Sequence, residues 1–203
     1  EEPPPESASA LPPDEAEALD VEDMYPLLAE SGLSYGPSFQ GLQRAWRVGE
    51  RIWSHVILPE QSAEQAGRYG LHPALLDGCL HTVALAVSLD VEGEDLYLPF
   101  SMGALRVWQP GASSAWVELA PLDVSEEVIG TSMTFYNEQG FAIGELDHLQ
   151  LKRADLASLK RAAGEDAQRM RFEVIWEPSE LNDAVFEGQW GIWWPDQANN
   201  LTT

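Results

Sequence analysis

Apolar and polar positions along this chain fall into two kinds of pattern. Residues 73–88 are apolar at almost every position, with no polar face, and this predicts a long helix buried at the centre of a core. Its sequence begins His72-Pro73, with His72 at the cap and Pro73 at the first helical position, where a missing N–H costs nothing. The surrounding segments are shorter and richer in β-branched and aromatic residues. Residues 51–58, 104–108, 115–119, 128–136 and 141–151 are predicted as strands. The last two flank Asn137-Glu138-Gln139-Gly140, a hairpin loop with glycine where a left-handed residue is needed. A short helix is expected over 24–31, capped by Asp23 and closed by Gly32.

The two ends follow neither pattern. Residues 1–23 hold nine acids, five prolines and no lysine or arginine. Such a stretch cannot build a core, so residues 1–20 are expected to be an acidic, proline-rich linker and residues 21–155 the folded domain. Residues 156–170 are expected to form a charged linker helix. Arg171-Phe172-Glu173-Val174-Ile175-Trp176 alternates like an edge strand. Residues 171–203, with Trp190, Trp193 and Trp194, read as the incomplete start of a further unit.

Charge and composition narrow the function. The 203 residues carry 34 acids against 11 Lys and Arg, a net charge of -23. Phosphate backbones and anionic membranes repel such a surface, so neither nucleic acid nor membrane is an expected partner. A hydrophobic content of 44% supports a real core. No apolar run of the ~18 residues that span a bilayer is evident, and the expected location is the cytoplasm. One cysteine, Cys79, rules out an internal disulfide and any multi-cysteine zinc site.

Candidate chemistry lies in the central helix. Asp77, His81 and Thr82 are its polar exceptions, and Asp77 and His81, four apart, share a face. Desolvation favours the protonated form of a carboxyl and so makes it a usable general acid. The same spacing also serves a structural Asp–His hydrogen bond, and a third reading takes His72, Asp77 and His81 as metal ligands. Gly78 implies close approach of a strand or a substrate chain. Cys79 reads as a small buried hydrophobe.

Three motifs in order then carry a resemblance: Tyr35-Gly36-Pro37-Ser38-Phe39-Gln40-Gly41-Leu42; Leu71-His72-Pro73-Ala74-Leu75-Leu76-Asp77 with His81 beyond; and Leu98-Pro99-Phe100-Ser101. Over about residues 20–155 the chain resembles dehydratase domains of modular type I polyketide synthases. Residues 171–178 resemble the segment that opens the ketoreductase region of such synthases, although no G-x-G-x-x-G follows.

That resemblance implies an α+β fold, a single hotdog in which a curved antiparallel sheet wraps a long helix. It implies the second half of a double hotdog, with the base histidine on a first half that this chain lacks. The reaction implied is loss of water from a β-hydroxyacyl thioester to give the enoyl thioester. Asp77 is then the general acid, and His81 orients the acid or the hydroxyl. Tyr35, Gly36, Pro37, Leu98, Pro99 and Phe100 line the substrate site. Met102 stands where an aromatic residue is common. No cofactor is bound directly, because the substrate arrives on the phosphopantetheine of an acyl carrier protein. The implied partners are the N-terminal hotdog, the carrier protein and the other domains of a homodimeric synthase of secondary metabolism. A non-catalytic docking or dimerisation hotdog, and a homodimeric hotdog thioesterase or hydratase, are the alternatives.

Overall fold

The computed structural model describes residues 7–91, 96–125 and 128–154. The helix and strand expected over 156–176 and the tryptophan-rich tail lie outside the described residues.

Nine strands form one antiparallel sheet: β1 (Glu17–Leu19), β2 (Leu42–Val48), β3 (Arg51–Ile57), β4 (Tyr97–Ser101), β5 (Leu105–Val107), β6 (Ser114–Leu119), β7 (Asp123–Val124), β8 (Val128–Tyr136) and β9 (Ala142–Arg153). The spatial order is β1-β2-β3-β6-β8-β9-β4, with β5 added to β9 and β7 to β8. Among the described residues three α-helices accompany it, α1 (Met24–Glu30), α2 (Glu60–Ala63) and α3 (Pro73–Asp90). The curved sheet wraps α3 in the hotdog arrangement, as expected.

The all-round apolarity of α3 explains its position. Leu75, Cys79, Val83 and Ala86 are buried against Val56, Ala115, Val117, Ile129, Phe135 and other sheet residues in one core. A polar pair inside it, Ser54 Oγ and Thr82 Oγ1 at 2.6 Å, satisfies itself. At Gly78 the helix lies close against the sheet: a Cβ there would stand 2.7 Å from Val56 Cγ1. Close strand packing therefore accounts for this glycine. With 18 residues, α3 is long and apolar enough to cross a bilayer. This corrects the expectation that no segment reaches that length, yet here the helix is the core that the sheet encloses.

One stripe of α3 is incompletely covered: Pro73, Leu76, Asp77, Leu80, Ala84 and Ser88 are exposed or half-buried. Their spacing by three and four residues puts them on one face. That face carries the candidate acid.

Three features depart from expectation. The acidic arm is not simply a solvated spacer up to residue 20. Ala8 N donates to Gly140 O at 2.8 Å, and Ala8 and Leu11 pack on a second cluster of Trp53, Trp116 and Tyr136. Residues 17–19 then pair with β2. The arm is ordered because the outer face of the sheet offers aromatic surface that its few apolar residues cover. Second, Asp23 precedes α1 without a side-chain cap bond. Third, neither β2 nor the edge strand β4 was expected; a bulge between Leu42 and Arg44 breaks the alternation of β2. The β8–β9 hairpin is as expected, with Gly140 at φ 81° and Asn137 Oδ1 accepting the N–H groups of Gln139 and Phe141.

Candidate active site

The site is built at the N-terminal end of α3. His72 closes that end with its own ring, Nδ1 accepting the N–H of Ala74 at 3.2 Å. This bond occupies one His72 ring nitrogen at the cap. Among the described residues no group of three or more His, Cys, Asp or Glu could hold a metal ion. One turn further, Asp77 faces a cleft of about 510 Å³. The rest of its wall is Ser34, Tyr35, Gly36, Pro37, Ser38 and Phe39. The turn motif and the helix acid, far apart in sequence, thus form one open site. Gly36 has extended backbone ahead of a single 3-10 turn over Pro37–Phe39, and Gln40 Nε2 holds the loop by donating to Tyr35 O at 2.9 Å.

His81 lies directly behind the acid. It is 3% exposed, and its Nε2 is 3.3 Å from Asp77 Oδ2. The side chain of Asp77 is 35% exposed, so the carboxyl reaches from a buried imidazole to the open cleft. By distance the pair is an ion-pair contact, but both atoms are buried and neither makes an aligned hydrogen bond. The two groups are thus adjacent but unaligned, and a small side-chain rotation would bring them into a good bond.

Two tyrosines enclose the imidazole. Tyr35 meets the His81 ring edge-on at 4.4 Å between centroids, and Tyr25 does so at 5.5 Å. Tyr25 Oη shares a 3.2 Å hydrogen bond with His81 Nδ1 and accepts the Leu42 N–H at 3.0 Å. Burial pushes the Tyr25 phenol up to about 12; the Leu42 bond opposes this and the charges of Asp77 and Tyr35 add to it. Burial, then the nearby Asp77 carboxylate, likewise raises the Tyr35 phenol. Both phenols therefore stay protonated at neutral pH and can donate hydrogen bonds. Sequence reasoning missed Tyr25. Its only signal was a phenol in a short helix immediately before the turn motif.

Leu98, Pro99 and Phe100 are not among the residues that line this cleft. They form β4, at the end of the sheet order, paired to Lys152 and Leu151 of β9, and Phe100 is 63% exposed beneath Lys152 Nζ. The other histidines are engaged elsewhere. His55 stacks on Trp116 and pairs with Glu138, and His148 pairs with Asp147. Among the described residues, Asp77 faces the cleft without a second imidazole there. A second cavity of about 480 Å³ lies at the far end of α3, lined by apolar residues such as Leu27, Leu85 and Val91, with Asp20 and Asp23. It has no acid–imidazole pair, so the chemistry points to the first cleft. Cys79 is fully buried and burial raises its thiol, which leaves no nucleophile there.

A family model described as "Polyketide synthase dehydratase N-terminal domain" matches residues 3–161. The chain belongs to the polyketide synthase dehydratase family. Among curated relatives of this dehydratase chain, polyketide synthase GfsE of Streptomyces halstedii is 36% identical over 178 residues. That alignment covers 87% of the chain and 4% of GfsE. Phenolphthiocerol synthesis polyketide synthase Pks15/1 of Mycobacterium bovis is 32% identical over 181 residues, covering 86% and 8%. A solved dehydratase from work on substrate selection in the borrelidin and fluvirucin polyketide synthases superposes with a TM-score of 0.67 at 34% identity. It is matched over 76% of this chain and 53% of its own. The bifunctional dehydratase-cyclase domain of ambruticin biosynthesis gives 0.67 at 28% identity, over 77% and 54%. This dehydratase hotdog therefore spans about half of each solved domain and a small part of each synthase.

Proposed function

We propose that this chain is the acid-bearing half of a polyketide synthase dehydratase, which removes water from a β-hydroxyacyl thioester. The observation that carries the reading is Asp77, half-exposed in the Tyr35–Phe39 cleft with His81 buried behind it. The family model's description names the N-terminal domain. We assign the second half instead, because the helix offers an acid and no described histidine lines the cleft across from it.

In this reaction a base removes the α-proton and the electron pair forms the Cα–Cβ double bond. The Cβ–O bond breaks, and the hydroxyl leaves as water with a proton from Asp77. Acid and base must be held against one substrate, which is why a half site is insufficient. The base is a histidine of a partnering N-terminal hotdog. The uncovered stripe of α3 around Asp77 is the face it would meet, and the match to about half of each solved dehydratase domain supports this. Substrate comes on the phosphopantetheine of an acyl carrier protein, within a cytoplasmic, homodimeric synthase whose other domains flank this one. Tyr35, Gly36 and Pro37 border the acid's side of the tunnel, and Leu98, Pro99 and Phe100 serve the substrate only once the other half completes it.

The test is to assay the purified chain on a 3-hydroxyacyl pantetheine thioester, alone and with an N-terminal hotdog from a related dehydratase. Enoyl product only in the complemented reaction is expected. Equal turnover by the chain alone would refute the half-site reading and favour a homodimeric hotdog enzyme.

A further inference from the structure

Tyr25 lies in the first turn of α1, outside every motif that points to the site. Its hydroxyl ties three elements together: it accepts the N–H of Leu42, the first residue of β2, and lies 3.2 Å from His81 Nδ1 on α3. A backbone N–H can only donate, so Oη is an acceptor towards Leu42 and its single proton remains for the imidazole. On the opposite side of that ring, Nε2 lies 3.3 Å from Asp77 Oδ2, close but out of line for a hydrogen bond. A neutral imidazole has one donor and one acceptor nitrogen, and the bond made by one fixes the role of the other.

We infer that Tyr25 is a positioning residue: by donating to Nδ1 it keeps the proton of neutral His81 on Nε2, the nitrogen next to Asp77, where a small rotation of either side chain completes a bond to one carboxyl oxygen. The other carboxyl oxygen is then left to carry the proton that substrate receives. The opposite tautomer would turn a lone pair of Nε2 towards a carboxylate oxygen. It would also require Oη to accept twice while its own proton found no imidazole acceptor. Tyr35, edge-on to the same ring, restricts the ring plane, so that the Tyr25 bond selects between two tautomers of one fixed orientation. The catalytic consequence rests on the proposed role of Asp77, but the tautomer itself does not.

The tautomer is read by 15N NMR of the imidazole nitrogens in the full chain, with His81 assigned by loss of its signals in His81→Gln. The expected result is a neutral ring protonated on Nε2. Tyr25→Phe should shift the tautomer ratio towards Nδ1–H by about tenfold, the upper range for one neutral hydrogen bond. A wild-type ring protonated on Nδ1 overturns the inference, and it does so even if the Phe variant fails to fold. An unchanged ratio in a folded Tyr25→Phe chain overturns it too. These readouts need no dehydration, so they stand apart from failure of the dehydratase reading. In the complemented enzyme, Tyr25→Phe should lower kcat about tenfold with KM unchanged in the His81 background. It should have no such effect in the His81→Gln background, because an amide always offers an N–H and has no tautomer to select. Equal losses in both backgrounds would mean that Tyr25 only packs the site, contrary to the inference.

Discussion

Substituting Gly78 by alanine sets two effects of opposite sign against each other beside Asp77, the proposed acid. Helix propensity favours alanine in a helix interior by about 1 kcal/mol. The new methyl, however, would stand 2.7 Å from Val56 Cγ1, where carbon contacts are comfortable at about 3.5–4.0 Å. Val56 is fully buried and its branched side chain is stiff, so it cannot swing aside. The remaining neighbour, Gly41 Cα at 3.7 Å, is an ordinary contact. The helix or β3 must therefore move by most of an ångström, and overpacking of this kind costs about 1–3 kcal/mol. Packing should win, for a net loss of about 1 kcal/mol. In a chain of this length that lowers Tm by about 2–4 °C. Thermal and urea unfolding of Gly78→Ala measure it directly. Val56→Ala removes the clashing methyl, so in the double variant the Gly78→Ala step should be neutral or stabilising. A single variant more stable than wild type would refute the reasoning, because it would mean that propensity outweighs this close contact between helix and sheet. The displacement also bears on chemistry: Asp77 is the preceding residue, and the complemented enzyme should lose kcat in Gly78→Ala and regain part of it in the double variant.

Other outcomes follow from the same structure. Cys79 should resist thiol reagents in the native chain and react only on unfolding, because it is fully buried and burial raises its thiol; rapid native labelling would contradict that. At Glu138, burial acts to raise the carboxyl, but hydrogen bonds from Ser114, His55 and Trp116 and the His55 charge outweigh it and hold the group below its ordinary 4.5. A depressed native value means stability that is present above 4.5 and lost as pH falls through the lower native value. Glu138→Gln should therefore flatten the acid limb of a stability–pH curve while leaving its shape near neutrality, and an unchanged acid limb would count against this hub. His81→Gln should reduce elimination less than loss of the acid itself, since glutamine can still donate to Asp77; a loss as large as that of Asp77→Asn would make His81 an acid or base in its own right.

Some of this architecture was open to sequence reasoning and some was closed to it. Helix α3 was legible because a buried helix lacks a polar face, and β8 and β9 because two strand-like runs flank a short loop that ends in Gly140. Strand β2 was closed to it. Its bulge throws the alternation out of phase, and Arg47 spends its charge on Asp90 across the fold rather than marking a solvent face. The edge strand β4 contains Pro99, which argues against a strand unless its edge position is known. The docking of the acidic arm depends on a tryptophan-rich sheet face that exists only after folding. In the site, Asp77 and His81 were legible because helical spacing alone makes them neighbours. Tyr35 was reached through its turn motif. Tyr25 lies 56 positions from its imidazole partner, and no local pattern joins them. Leu98, Pro99 and Phe100 were placed at the site by resemblance alone, and the cleft around Asp77 does not include them.

The central claim is that Asp77 supplies the proton to the departing hydroxyl, and the most direct measurement is the single-turnover rate of elimination by the complemented dehydratase with Asp77→Asn. Asparagine keeps the size and the place of the carboxyl beside His81 but has no acidic proton to give. The account predicts a folded variant with unchanged unfolding midpoint that still binds the 3-hydroxyacyl thioester, and whose elimination rate falls by about 10²–10⁴-fold. Elimination at the wild-type rate by that variant would contradict the account and remove Asp77 from the mechanism.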